Sequence, residues 1–222
     1  MSTATPAVPG KESKSFSFKN FGARDYVGAA MSVVLVVLGV IAIVVGINGG
    51  NTVNDSLKTQ QIVGSPDMTP AGITAEAQKA GLTVSTLPIP SCSVANQSVD
   101  TGKEARCFAQ YMQIHTLEAT GGYYYAQMGR YEALKTAPKA QLTPDGATNN
   151  AQYAVTDPKT QQPVANAGRD IWIQETALTT ALNTSYMASQ LALFGIAMGI
   201  ALLLTGIGLG IAGYRGGRKA AV

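Results

Sequence analysis

The sequence predicts an all-α membrane protein, in which two transmembrane helices extend into a small, mainly helical extracytoplasmic domain with one disulfide. Three observations support this fold class. The chain has two long stretches without a charged residue, its charged fraction is only 13%, and it contains two cysteines. Ordinary soluble domains carry about 25% charged residues. Apolar stretches of about 20 residues can cross a bilayer, and lipid allows such segments to be helices only.

The first two predicted elements are a cytoplasmic tail and transmembrane helix 1. Residues 1–24 are rich in Ser, Thr, Pro and Lys, which predicts a disordered tail. Three phenylalanines among its lysines leave open whether it is solvated or held at an anionic membrane surface. Residues 25–48 are predicted to form the first span. Their apolar stretch is longer than that of a cleaved signal peptide, and no convincing small-residue cleavage site follows it.

Residues 49–189 form the predicted extracytoplasmic domain, which holds both cysteines, Cys92 and Cys107. We predict that they pair, because the charge pattern described below places them outside the cytoplasm, where thiols oxidise. Two unpaired buried thiols are the alternative interpretation. The spacing of the two residues excludes a C-x-x-C redox pair.

Capping signals predict two helices within this domain. Thr69 and Pro70 are typical of an N-cap and a first helical residue, and Gly81 is typical of the end of that helix. Residues 101–104 match a capping box, which opens a second helix that continues to about Ala119. The second helix has an apolar side suited to core packing.

The last part of the chain is predicted to be a loop followed by one long helix. Residues 136–163 have the proline, glycine and asparagine content of a loop. From Asn166 the apolar spacing predicts a helix that runs without a break into transmembrane helix 2 at residues 190–213. We expect Trp172, far above that span, to pack in the core of the domain. The first span is likewise expected to continue to about Gln61, and residues 214–222 form a second cytoplasmic tail.

The distribution of charge predicts the topology. The two tails, counted together with Asp25 at the cytoplasmic edge of the first span, carry seven basic and two acidic residues, and the segment between the spans carries the remaining nine basic and eleven acidic residues. The positive-inside rule therefore predicts a multi-pass plasma-membrane protein with both termini in the cytoplasm and residues 49–189 outside. The basic tails are a topology signal, and the sequence predicts no nucleic-acid binding.

The sequence predicts neither an enzyme nor a cofactor. The single histidine, His115, lies three residues before Glu118, so the two share a helix face. Catalytic zinc and iron sites usually need three protein ligands, commonly with two histidines, so we predict no metal site and favour a structural role for His115. Neither a nucleophile turn nor a phosphate-binding loop is present. Neither span has a charged residue in its interior, so transport by this chain alone is not expected.

Tyrosines in the domain form a candidate interaction surface. Tyr and Arg are enriched at the hot spots of protein interfaces. Packing of the small domain is an equally favoured alternative for most of these side chains. The candidate residues are Tyr111, Tyr123, Tyr124, Tyr125, Arg130 and Tyr131.

Small residues in both spans predict close helix packing. Glycine lets helices approach each other in lipid, where packing drives association. Pairing of the two spans with each other and docking on the membrane helices of a partner are both possible, and the two are compatible. The predicted packing residues are Gly28, Gly39, Gly46, Gly195, Gly199, Gly206 and Gly210.

Three segments resemble a family of two-pass membrane proteins from actinobacteria. They are residues 62–70 (IVGSPDMTP), 116–122 (TLEATGG) and 175–183 (ETALTTALN), and the similarity covers most of residues 25–212. Members of this family are sometimes labelled aromatic ring-opening dioxygenases. The sequence does not support that label, because such enzymes hold iron with two histidines and a carboxylate. The resemblance implies an actinobacterial host and nothing about mechanism.

The first functional hypothesis is a non-enzymatic accessory or scaffold subunit of a cell-envelope membrane complex. It would sit in the lipid bilayer and dock through its glycine-rich faces on a membrane-protein partner or on a second copy. The alternative is an extracytoplasmic ligand-binding receptor or sensor with the tyrosine-rich region as its site. Its cytoplasmic tails are too short for an output domain, so a sensor would act through a signalling partner. An enzyme is the least favoured hypothesis.

Overall fold

The computed structural model describes residues 23–219, and their side chains from residue 26 to residue 215. The predicted disorder of the N-terminal tail concerns residues that lie outside this range, apart from the last two. Within the described range the structure is helical and has no β-strand, only isolated bridges, as the fold class predicted. The α-helices are α1 (Ala23–Thr59), α2 (Pro70–Lys79), α3 (Gly102–Ala119) and α4 (Ala167–Lys219).

Helices α1 and α4 are long and apolar enough to cross a membrane, by length and composition. Only 11% of the most apolar window of each helix is buried inside the structure. A core helix of a soluble protein would be covered by other elements, so these two helices present an apolar surface without protein cover. Helix α1 ends at Thr59, slightly earlier than the expected Gln61, because Gln61 has a left-handed φ of 52° that no helix continues through.

The described residues divide into two compact units. The helix-pair unit comprises the chain up to Ile43 and from Ala197 onward, and the domain unit comprises Val44–Ile196. The domain unit contains α2, α3 and four single-turn 3₁₀ helices at Val84–Thr86, Tyr125–Gln127, Lys139–Gln141 and Ala151–Tyr153.

The predicted caps of α2 and α3 are confirmed. Thr69 accepts a hydrogen bond from the amide of Gly72 at the start of α2, and Gly81 follows its end with a φ of 75°. Thr101 accepts from the amide of Glu104, whose carboxylate accepts in return from the amide of Thr101 at 2.9 Å. Side-chain oxygens thus satisfy amides that a helix start leaves without partners.

The core of the domain unit packs around α3. Tyr111 and Ile114 of α3 are completely buried, together with Ile73 of α2 and Val99 of the preceding segment. The predicted disulfide between Cys92 and Cys107 is confirmed, with a Cα–Cα distance of 6.1 Å. It fixes the irregular segment before α3 to the first turns of that helix. Trp172 packs with Leu117 and Met128 in a second buried cluster, as expected.

Residues 136–163 are irregular, as their composition predicted, and one carboxylate organises the region around them. Asp145 accepts hydrogen bonds from the Thr143 hydroxyl (2.6 Å), the Asn166 side-chain amide (2.7 Å) and two backbone amides. Burial would raise the pKa of Asp145, but these hydrogen bonds outweigh it and hold the pKa below its ordinary value. Asn166 also caps α4, because its side-chain oxygen accepts from the amide of Gly168. Asp145 therefore connects the loop to the start of α4.

Candidate functional site

In the helix-pair unit, glycines predicted for transmembrane packing bring two backbones into contact. A Cβ atom added at Gly39 would lie 2.7 Å from the carbonyl oxygen of Gly199, and one added at Gly199 would lie 2.7 Å from that of Gly39. One added at Gly206 would lie 2.9 Å from the carbonyl oxygen of Ser32. The Ser32 hydroxyl donates to the Gly206 carbonyl at 2.6 Å. Any larger residue at these glycines would force the helices apart.

The other predicted packing glycines differ in their surroundings. Gly210 lies beside the Ser32 side chain, whereas a Cβ atom at Gly28 would meet nothing within 4 Å. In the domain unit, a Cβ atom at Gly46 would lie 2.7 Å from the carbonyl oxygen of Ala192. Gly195 is half-buried. Most of these glycines therefore pair α1 with α4, and Gly28 is left open to another contact.

One of the six residues of the predicted interaction surface does not lie at the surface, and the other five are partly or fully exposed. Tyr111 has no exposed area, so its assignment to a surface is wrong. Its ring projects from α3 into the core, and its hydroxyl donates to the carbonyl oxygen of Cys92. Arg130 is exposed and Tyr131 half-buried, but among the described residues neither has a ring contact or side-chain hydrogen bond with Tyr124 or Tyr125.

Tyr123, Tyr124 and Tyr125 lie beside Trp172. The indole N–H of Trp172 donates to the Tyr123 carbonyl at 2.9 Å, and its ring centroid lies 5.6 Å from that of Tyr124. Tyr124 and Tyr125 are 44% and 41% exposed, whereas Trp172 is only 6% exposed. The indole is therefore fixed in orientation, with the two outer tyrosines next to it.

A cavity of about 520 Å³ opens at this place, and we call it the Trp172 groove. Its volume is within the range of about 300–1,000 Å³ that is usual for small-molecule sites. Helix α4 supplies most of the wall, since residues three, four and eight positions apart share a helix face. The lining residues are Tyr125, Trp172, Ile173, Thr176, Ala177 and Thr180.

Arg169 is a fixed cation beside the groove. Its Cζ atom lies 3.9 Å from the centre of the Tyr125 ring, and its Nη1 donates to the Met128 carbonyl at 2.9 Å. Among the described residues no acidic side chain forms an ion pair with it. Sequence reasoning missed Arg169, because both of its contacts are more than 40 positions away along the chain. The only signal was an isolated basic residue at the start of a long helix.

A second cavity, which shares Trp172 and Thr176 with the groove, has a different character. Glu175, only 8% exposed, lines this cavity of about 280 Å³ with Gln110, Gln113 and other residues. Burial raises the pKa of Glu175, and hydrogen bonds with Thr179 and Thr176 offset part of that increase. This cavity is polar, whereas the Trp172 groove is mainly apolar.

His115 joins two elements of the domain unit. Its Nδ1 lies 2.9 Å from Glu118 in α3, and its Nε2 lies 3.3 Å from Asp67, before α2, in a geometry without a hydrogen bond. Asp67 was not foreseen as a partner. No group of three side chains suited to a metal ion occurs in the described part of the chain. No described hydroxyl or thiol is hydrogen-bonded to His115, so the arrangement has no activated nucleophile.

Comparison with known proteins found no family model, no curated protein and no solved structure that matches this chain. The resemblance to actinobacterial two-pass proteins therefore stays a prediction, and the functional argument depends on the geometry described above.

Proposed function

We propose that the chain is a two-pass plasma-membrane protein that acts as a non-enzymatic accessory or scaffold subunit of an envelope complex. Both termini lie in the cytoplasm, and residues 49–189 lie outside. The observation that carries this proposal is the glycine-packed pair of α1 and α4, whose outer surface is apolar and without protein cover. A bilayer is the environment that accepts such a surface.

Docking on a partner uses the outer face of this pair. Gly39, Gly199 and Gly206 are occupied by contacts within the chain, so they are closed to another helix. At Gly28 and Gly208 an added Cβ atom meets nothing within 4 Å. Small residues at open positions let a helix of another protein approach closely in lipid.

A native pull-down from membranes of the host tests this proposal. The tagged full chain is extracted in mild detergent and compared with the Gly28→Leu, Gly208→Leu variant, which adds bulk outside the pair. Val33→Leu, a small change at an exposed apolar position, is the matched control. We expect membrane subunits in stoichiometric amounts with wild type and control, and their loss in the double variant. Recovery of the chain alone in all three samples would contradict docking on a partner.

The Trp172 groove favours a second candidate function, an extracytoplasmic ligand-binding receptor. The groove has the size and apolar lining of a small-molecule site, and a fixed arginine lies beside it. Ala177→Phe would fill the groove from an exposed position of α4. If the chain acts only as a scaffold, this variant retains the pull-down partners of wild type. If occupancy of the groove controls a signalling partner, the recovery of that partner changes.

A further inference from the structure

We propose that the Trp172 groove binds a small organic anion with a flat apolar body, of which an aromatic carboxylate is the simplest example. The inference depends on the ligand-binding form of the proposed function, and it names the class of ligand. It combines the apolar lining of the groove with the unneutralised cation that contacts one wall.

The walls of the groove suit a flat apolar body. Tyr125 and Trp172 supply aromatic rings, and Ile173 and Ala177 supply aliphatic surface. Pairs of aromatic rings adopt offset-stacked or edge-to-face arrangements, and such pairs stabilise by more than the area they bury. The indole N–H is already bonded to the Tyr123 carbonyl, so the small exposed part of Trp172, 6% of the residue, adds apolar surface to the wall without a free donor. A ligand with one or two fused rings fits within a volume of about 520 Å³.

The cation selects the charge of the ligand. A guanidinium has five N–H donors in a planar fork that matches a carboxylate. One nitrogen of Arg169 donates to the Met128 carbonyl, and no ion pair within the described residues occupies the others. The contacts with Met128 and Tyr125 hold the side chain in place. Little conformational freedom is therefore lost when an anion binds.

Other charged groups near Arg169 do not line the groove. Asp170 is exposed and one position further around α4. Glu175 is buried and lines the second cavity, and it is not among the residues that line the groove. Arg130 is exposed, and its described hydrogen bonds are made by its backbone: the amide donates to the side-chain oxygen of Asn149, and the carbonyl accepts from the amide of Asn166. Arg169 is consequently the charged side chain that contacts a wall of the groove.

The fluorescence of Trp172 gives a direct readout, because it is the only tryptophan in the chain. The full chain, purified in dodecyl maltoside, is titrated with 4-nitrobenzoate, a flat anionic quencher. Its neutral analogue 4-nitrobenzamide is the comparison probe, and free tryptophan in the same detergent corrects for light absorption. We expect saturable quenching by 4-nitrobenzoate, with the amide binding at least about tenfold more weakly because it lacks charge-assisted hydrogen bonds.

Three variants locate the site. Arg169→Gln removes the cation, and we expect affinity for 4-nitrobenzoate to fall about tenfold with little change for the amide. Arg130→Gln removes an exposed arginine that does not line the groove, and affinity should be unchanged. Ala177→Phe keeps Arg169 and fills the groove, so saturable quenching by either probe should be lost. The thermal transition of each variant confirms that it is folded.

The outcomes separate this inference from the function on which it depends. Equal affinities for the two probes, unaffected by Arg169→Gln, would overturn the assignment of an anionic ligand and leave a neutral-ligand groove. Absence of saturable quenching by either probe would overturn both the inference and the receptor function. Both results are independent of whether α1 and α4 anchor the chain in a membrane.

Discussion

At the scale of single residues, two carboxylates of the domain unit have opposite effects on stability. Folding buries Glu175 and half-buries Asp145, which disfavours the charged form of each. Asp145 receives four hydrogen bonds, and they outweigh this penalty. Glu175 has only threonine hydroxyls as partners, and its penalty remains. Removal of the charge is therefore expected to lower the stability of the protein at Asp145 and to raise it at Glu175.

Asp145→Asn is expected to destabilise the protein. An amide keeps the shape of the carboxylate but loses its charge and one acceptor, which removes about 2 kcal/mol of charge-assisted hydrogen bonding. The thermal midpoint in detergent should fall by about 4–8 °C. The lowered pKa means that the stabilisation is present above the ordinary value of 3.8 and is lost as pH falls through the folded-state pKa.

The difference in thermal midpoint between wild type and Asp145→Asn should therefore become smaller at acidic pH. Asp157→Asn is the control, because Asp157 accepts backbone hydrogen bonds in an exposed turn. An effect of Asp157→Asn as large as that of Asp145→Asn would contradict a special role for Asp145.

Glu175→Gln is expected to stabilise the protein at neutral pH. The raised pKa of Glu175 means that folding favours its protonated form. Wild-type stability should thus fall as pH rises from the ordinary value of 4.5 through the folded-state pKa, and the variant should lack this fall. A change of about 1 kcal/mol would raise the thermal midpoint by about 2–4 °C. Melting curves across this pH range test it, and a lower midpoint for the variant at neutral pH would show that the carboxylate is stabilising.

At the scale of helices, the contact between α1 and α4 can be trapped covalently. The Cβ position of Gly210 lies 3.8 Å from Cβ of Ser32, the mean separation across a disulfide. We expect a Ser32→Cys, Gly210→Cys variant to form a disulfide on mild oxidation. A polymer-linked maleimide attaches to free thiols and slows the protein on a gel. Formation of the disulfide removes both thiols, so the oxidised variant should no longer show this shift.

Ser32→Cys with Gly208→Cys is the matched control. Gly208 lies two residues from Gly210 and has open space around it, so its thiol should stay free. Equal oxidation of the two variants would show that the helices are not held in this register.

The helices and their contacts also show which features of the fold the sequence could predict. The starts of α2 and α3 depend on Thr69 and Thr101, whose partners lie three residues away, so local patterns suffice. The disulfide was predictable because the chain has only two cysteines. The Trp172 groove was not, since its walls and its cation meet through the long path between Met128 and Arg169. Tyr111 was misassigned because tyrosine suits both a core and a surface.

At the scale of the whole molecule, the proposed topology can be tested by labelling. Single cysteines are introduced at Ala4, at exposed Ala140 and at Ala221, and intact cells are treated with a membrane-impermeant maleimide. We expect labelling at position 140 only, with labelling at positions 4 and 221 after lysis. Wild type is the control, because its own cysteines form a disulfide. Labelling of a terminal position in intact cells would contradict the proposed orientation.

The hydrogen bond from Ser32 to Gly206 has a consequence for how such a protein can transmit a signal. It joins the two helices at one register, and the backbone contact between Gly39 and Gly199 leaves no room for a side chain to pass. A piston stroke or an axial rotation of one helix against the other would bring larger residues onto these carbonyl groups. Information carried across this part of the protein would therefore travel as a movement of both helices together, and its recipient would be whatever lies against their shared outer surface.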